Sequence, residues 1–203
     1  MLRLGLDRLE RLLPDLEALC IARIVQKLTE LLDRPVVLVG LMGAGKSTVG
    51  RRLAKRLGLP FVDSDVAIEE ASGSPTAELF ERYGESDFRD GERRLVARLV
   101  EGDVRVIATG GGAFNDPRTR QLLNDRAITV WLDAPVDVLA ERTRRRDNRP
   151  LLRNGDRAGT LARLADERRA FYEEAKIHVR SGAGAHNDVV EAIIDALHKH
   201  LAA

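Results

Sequence analysis

Cysteine is nearly absent from this sequence: Cys20 is the single one in 203 residues. That excludes an internal disulfide and a cysteine-built metal cluster, and it suits a reducing cytoplasm. An excess of one charge is lacking too. The 33 Lys and Arg are balanced by 32 Asp and Glu, for a net charge of +1. No global field therefore calls for nucleic acid or an anionic membrane. Aromatics make up only 4% of the chain, and none is interleaved with the arginine cluster 142–146 as a nucleic-acid stacking platform would require. No apolar run reaches transmembrane length. Asp7, Glu10, Asp15 and Glu17 interrupt the N-terminal leucines, unlike the apolar segment of a signal peptide. Repeats and low-complexity tracts are also missing. The expectation is a cytoplasmic protein with small-molecule partners, with neither nucleic acid nor membrane.

What is present is one strong motif inside an ordinary globular composition. The length and a 44% hydrophobic content suit one α/β domain with a real core. Gly40-Leu41-Met42-Gly43-Ala44-Gly45-Lys46-Ser47-Thr48 fits the phosphate-binding pattern G-x-x-x-x-G-K-S/T at every specified position. Pro35–Val39 before it is a short β-branched run that reads as a buried strand. Val49–Leu57 after it places apolar residues on one helical face and Arg/Lys on the other. A chance glycine turn would not carry both flanks. The glycines let backbone amides turn toward phosphate oxygens, and the helix N-terminus adds its dipole. Gly43, Ala44, Gly45, Lys46, Ser47 and Thr48 are the candidate nucleotide-phosphate contacts. Lys46 would reach the β- and γ-phosphates, and the Ser47 hydroxyl would ligate Mg²⁺.

Residues 1–34 read as a helical extension with leucines at three- and four-residue spacing, broken at Pro14. A plain packing helix is the favoured reading, with pairing to a second copy, a loosely held extension or a misassigned start codon as the alternatives. Beyond the phosphate loop, Leu59–Asp63 is a second strand ending in Asp63-Ser64-Asp65. Acids at a strand's carboxyl end sit where open α/β sheets bind ligands. Asp65 is also placed to cap the following helix; capping accounts for one acid better than for two. Helices follow over Thr76–Tyr83 and Glu85–Val100, carrying Phe80, Phe88 and Arg89. Strand Val104–Ala108 runs into Thr109 and the triplet Gly110-Gly111-Gly112, which permits close backbone approach to a ligand. Asp116 caps a helix with Pro117 in its first turn. Ala127–Leu132 is a fourth strand, with Trp131 in a packing role. A helix from Pro135 ends in the basic run to Arg146, before a turn-rich, charged segment that reads as a mobile lid over about 142–156. Gly159–Ala175 is a helix carrying Arg168 and Tyr172, Ile177–Val179 a last strand, and Asn187 to about Leu201 a final helix. The four histidines show no metal spacing and are read as non-catalytic.

Taken together these motifs resemble the shikimate kinase family. The phosphate loop, the acids of Asp63-Ser64-Asp65, Phe88-Arg89-Asp90-Gly91-Glu92, Thr109-Gly110-Gly111-Gly112-Ala113, Arg149-Pro150-Leu151-Leu152, and Arg168 four residues before Tyr172 occur in that family's order. The resemblance covers about residue 35 to the C-terminus and leaves 1–34 outside. It implies a three-layer α/β/α P-loop kinase, with a five-stranded parallel sheet and a lid. It implies transfer of the γ-phosphoryl group of ATP to the 3-hydroxyl of shikimate, a step toward chorismate and the aromatic amino acids. By motif position, Asp65 resembles the residue that holds the substrate's ring hydroxyls, and Arg89 and Arg168 the pair that binds its carboxylate. Gly111, flanked by Gly110 and Gly112, resembles a backbone contact to substrate, and Phe80 and Phe88 the apolar wall. Asp63 resembles the acid that supports Mg²⁺ through water. Arg149 resembles the lid arginine that reaches ATP, and Arg142 one that stacks near adenine. Lys46, Asp65 and Arg149 are the expected catalytic set, and a monomer is the default.

Two rival readings have distinct requirements. A gluconate or nucleoside monophosphate kinase shares the phosphate loop; of these substrates gluconate alone brings a carboxylate for the two arginines. A non-enzymatic ATP-binding module would show degraded motifs, whereas Lys46, Ser47, Asp63, Asp65, Arg89, Arg149 and Arg168 are all present.

Overall fold

The computed structural model describes residues 23–144 and 156–202. Helical turns over 23–31 (α1) lead into strand β1 (Val36–Val39) and helix α2 (Lys46–Leu57). Then come β2 (Phe61–Asp63), α3 (Ser64–Ser72), α4 (Thr76–Glu101), β3 (Val106–Ala108), a 3-10 turn over Ala113–Asn115 and α5 (Pro117–Arg126). The chain closes with β4 (Ile128–Asp133), α6 (Val136–Arg144), α7 (Arg157–Tyr172), β5 (Ile177–Arg180) and α8 (His186–Ala202). All five strands are parallel, in the order β2-β3-β1-β4-β5. The expected α/β class and its five-stranded parallel sheet are what the chain adopts.

The strand composition follows position in the sheet. Central β1 is buried along its whole length, and a strand covered on both faces reads as an unbroken Val/Leu run. Edge strand β5 alternates buried Ile177 and Val179 with exposed His178 and Arg180. Handedness then assigns the helices to layers. The chain steps one way from β1 to β2, through α2, and the opposite way in every later crossover. Right-handed connections put α2 on one face and α4, α5 and α7 on the other. The packing agrees: α2 meets α8, α4 meets α5, and α6 meets α7. Val25, Leu28 and Leu32 are buried in the core, and the Thr29 hydroxyl donates to the Leu57 carbonyl at the end of α2. The described part of α1 thus packs on the α2 layer.

Within α4 the expected helix pair over Thr76–Tyr83 and Glu85–Val100 is present: the two helices meet at Gly84, whose φ of 77° and ψ of 171° are not helical. The N-cap of α3 is Asp63, not Asp65: the Asp63 side chain accepts from the Asp65 amide. Asp65 already lies inside the helix and leaves the capping role to its neighbour. Among the described residues no helix is long and apolar enough to cross a membrane. Residues 145–155 of the expected lid, Arg149 among them, and most of the N-terminal extension fall outside the described residues.

This topology also places the site. After β1 the chain goes to one face, while after β3 and β4 it goes to the other. The carboxyl ends of these neighbours diverge and leave a crevice, which is where α/β sheets take their ligands.

Candidate active site

The phosphate loop fills that crevice at the end of β1. Gly40, Gly43 and Gly45 have φ of 135°, 86° and 96°, values that side chains rarely tolerate. A Cβ on Gly40 would stand 2.7 Å from the Leu132 carbonyl oxygen, so the loop is pressed onto β4. Gly45 caps α2 without any side-chain hydrogen bond. The first amides of α2 therefore keep an open, anion-seeking end. The Lys46 ammonium bends back over the loop, donating to the carbonyls of Gly40 at 2.7 Å and Leu41 at 3.0 Å. Gly43, Gly45, Lys46, Ser47 and Thr48 line one cleft of about 1180 Å³, while Ala44 is packed beneath the loop.

Arg142 of α6 clamps this half from the side. Its guanidinium donates to the carbonyls of Gly43 and Ala44, both at 3.4 Å, to the Ser181 hydroxyl at 3.3 Å and to the Gly182 carbonyl at 2.7 Å. The Ser181 hydroxyl in turn donates to the Ala44 carbonyl. His186, the first residue of α8, lines the same cleft. Burial, with Arg142 and Arg52 nearby, pushes its pKa below the usual histidine value.

The other half of the cleft is assembled from four separate segments. Asp65 faces the glycine triplet: a Cβ on Gly110 would lie 2.5 Å from its Oδ1 and 3.0 Å from the Glu92 Oε1. Ser64, between the two acids, is fully buried, and its hydroxyl accepts from the Gly110 amide at 3.0 Å. Arg89 pairs with Glu92 at 2.7 Å and lies 5.3 and 5.4 Å from the ring centroids of Phe80 and Phe88. A Cβ on Gly112 would stand 2.5 Å from the Arg89 guanidinium. Arg168 arrives from α7 and donates to the Gly111 carbonyl at 3.0 Å, as does the Tyr172 hydroxyl at 2.8 Å. The glycines are there for close approach, since each faces a functional group or the opposing loop. Burial raises the pKa of Glu92 above the ordinary carboxyl value, Arg89 opposes this, and Asp65 and Asp116 add to it.

The two halves meet at Gly111. A Cβ on Gly111 would meet the Met42 backbone nitrogen at 3.2 Å. Two arginines, Arg89 and Arg168, thus stand beside a phosphate loop in one cleft. Comparison with known proteins supplies the family. The shikimate kinase family model matches residues 42–198. A shikimate kinase from Rhodopseudomonas palustris is 53% identical over 171 residues, 84% of this chain and 84% of that protein. The chain belongs to the shikimate kinase family.

Another family member, from Novosphingobium aromaticivorans, is 50% identical over 181 residues, 87% of this chain and 94% of its own length. Among solved structures, a shikimate kinase from Acinetobacter baumannii in complex with shikimate superposes with a TM-score of 0.77 at 39% identity, covering 80% of this chain and 91% of that one. A gluconokinase from Sinorhizobium meliloti reaches a TM-score of 0.52 at 18% identity, covering 81% of this chain and 91% of that one, and so shares the fold alone.

For a shikimate kinase, the sequence locates the cleft well. Of the predicted site residues within the described segments, all but Ala44 and Asp63 line it. Asp63 stands at the end of β2 with Oδ1 taken by the Asp65 amide. A magnesium ion fits the donor set in one specific way. Among the described residues no group of three or more His, Cys, Asp or Glu is placed to hold a metal. The cleft instead offers the Ser47 hydroxyl, which suits an ion coordinated largely by phosphate oxygens and water. Sequence reasoning missed Ser64, Glu92, Tyr172, Ser181 and His186 as parts of the site. Glu92 and Tyr172 sit three and four residues after an arginine of the family motifs, the one signal that they share its helical face.

Proposed function

We propose that this chain transfers the γ-phosphoryl group of ATP to the 3-hydroxyl of shikimate, giving shikimate 3-phosphate and ADP on the route to chorismate and the aromatic amino acids. The observation that carries this reading is the convergence of Arg89 and Arg168 on the glycine triplet, in the cleft that also holds Lys46. Two guanidinium groups give paired, planar donors to a carboxylate, a group that a nucleoside monophosphate does not bring. Family membership separates this reading from the gluconate rival.

Phosphoryl transfer asks the protein mainly for alignment and charge neutralisation. Lys46 and the amides at the start of α2 hold the transferring phosphates. Ser47 and, through water, Asp63 are the residues that would hold Mg²⁺, which when bound neutralises phosphate charge. Arg142 sits against the loop where an adenine would leave it. Arg149, by its motif position, reaches the phosphates from the lid. Phe80 and Phe88 form the apolar wall behind the acceptor's ring. Asp65 orients the attacking hydroxyl and weakly assists loss of its proton, because a loose transition state demands little of a base. The new bond joins the 3-oxygen to the γ-phosphorus, the bridging bond to ADP breaks, and the hydroxyl proton leaves. Residues 35–203 form the kinase domain and 1–34 an extension. A cytoplasmic monomer completes the proposal.

A coupled ADP-release assay with Mg²⁺ and shikimate, gluconate or AMP tests this reading. Release with shikimate alone is expected; release with gluconate but not shikimate overturns it. Asp65→Asn should lower kcat by about thirtyfold, less than the ~10²–10⁴-fold of full general acid–base catalysis because the assistance is weak. Near-wild-type kcat in that variant would exclude Asp65 as a base.

A further inference from the structure

Tyr172 is nearly fully buried, yet its hydroxyl is directed at a backbone oxygen of the acceptor turn, the Gly111 carbonyl. That oxygen also receives Arg168, so both of its lone pairs are engaged from α7. The peptide that follows joins two glycines, which rotate with little steric resistance. In a trans peptide the carbonyl and the next amide point in opposite directions. A carbonyl held toward α7 therefore turns the Gly112 amide away from α7. Gly112 lines the cleft and abuts Arg89.

We propose that Tyr172 is a positioning residue that locks the Gly111–Gly112 peptide in one orientation, and with it the two arginines and the amide that receive the acceptor's carboxylate. Phe114 and Trp131 stack near the ring, at 6.2 and 5.9 Å between ring centroids. Burial pushes the phenol up to about 12, so the hydroxyl stays a donor throughout the working range. Without the hydroxyl, the carbonyl keeps only the bond from Arg168, a side chain that also has to receive the carboxylate, so the peptide is held less firmly. The lock acts on the acceptor and not on ATP, since the hydroxyl bonds to the acceptor turn and not to the phosphate loop.

The inference rests on the carboxylate reading of the cleft, and the test separates the two. Steady-state kinetics on the full chain compare wild type with Tyr172→Phe, which keeps the ring and removes one hydroxyl. The expected result is a rise of about tenfold in KM for shikimate, the scale of one lost hydrogen bond, with kcat and KM for ATP within about twofold. Phe114→Leu loosens the same aromatic stack without touching the hydroxyl. It should lower Tm at least as much while leaving KM for shikimate within about twofold. An unchanged KM in Tyr172→Phe overturns the proposal, as does an equal rise in Phe114→Leu, which would mark a packing role. A wild-type protein that releases no ADP with shikimate overturns the functional reading itself.

Discussion

The two halves of the cleft solve recognition by different means. The phosphate half is a continuous stretch of nine residues, Gly40–Thr48, that presents mostly backbone. Its conformation is set by three positive-φ glycines and by the start of α2. The acceptor half draws on β2–α3, α4, the turn after β3, and α7. It presents side chains that have supports of their own: Glu92 holds Arg89 and the Gly111 carbonyl holds Arg168, while Ser64 holds the turn through the Gly110 amide. Backbone recognition suits a phosphate, whose charge is spread over equivalent oxygens. A small carboxylate with ring hydroxyls demands fixed directions, and fixed directions need a supporting shell. The difference teaches where each half is vulnerable: the first through its charge and its glycines, the second through partners away from the ligand.

The largest expected effect tests the phosphate half. Lys46→Ala removes the one buried ammonium of the loop, and kcat should fall by about a thousandfold, the scale of lost transition-state charge stabilisation. Circular dichroism should show the fold retained. A kcat within tenfold of wild type would mean that the loop amides suffice and that the side chain is dispensable. Arg89→Ala probes the acceptor half. The specificity constant for shikimate should fall by about a hundredfold through KM, with KM for ATP nearly unchanged. An unchanged specificity constant for shikimate would sink the assignment of this half. If both substrates suffer equally in that variant, the two halves do not work independently.

The same contrast governs how much of the molecule is legible in its sequence. The phosphate loop announces itself because its chemistry resides in consecutive residues, so spacing along the chain equals spacing in the site. The five strands are legible for a similar reason, as apolar β-branched runs carry a local signal. Arg89, Arg168 and Asp65 stand out because they lie in recognisable motifs. Their supports lie in the same motifs, but nothing in the sequence marks what they hold. Ser64 looks like a spacer between two acids, but burial turns its hydroxyl onto Gly110. Glu92 looks like one more helical acid, and Tyr172 like a core aromatic. Only tertiary packing aims Tyr172 at Gly111, 61 positions away. The cap exchange between Asp63 and Asp65 has the same origin: two acids are available, and the strand's end point decides which one the helix uses.

A smaller effect should appear where the halves meet. Gly111→Ala places a methyl against the Met42 nitrogen at 3.2 Å, tight enough that backbone must shift by a fraction of an ångström. Backbone yields less readily than a flexible side chain. KM should therefore rise for both substrates, by about tenfold each, since misplacement is felt at both sites. A rise confined to shikimate would show that the turn moves alone and that the contact transmits nothing.

The smallest expected effect is a pH dependence, and it isolates the acceptor half's supporting shell. Glu92 has 1% side-chain exposure and pairs with Arg89 at 2.7 Å. Its folded pKa is raised above 4.5, first because burial penalises the charged form, with Asp65 and Asp116 adding to the rise and Arg89 opposing it. The folded state then holds this proton more tightly than the unfolded state does. Across the window from about 4.5 up through the folded pKa, the native state binds more protons, so stability falls as pH rises. Glu92→Gln keeps the shape and has no proton to lose. The stability of wild type relative to this variant, from urea unfolding, should therefore decline across that window and level off above it. At neutral pH the variant should also raise KM for shikimate by about threefold, because Arg89 keeps a neutral partner in place of a charged one. A stability difference that is flat with pH would mean that Glu92 titrates alike in both states, and Arg89 would then owe its position to Phe80 and Phe88 rather than to the buried carboxylate.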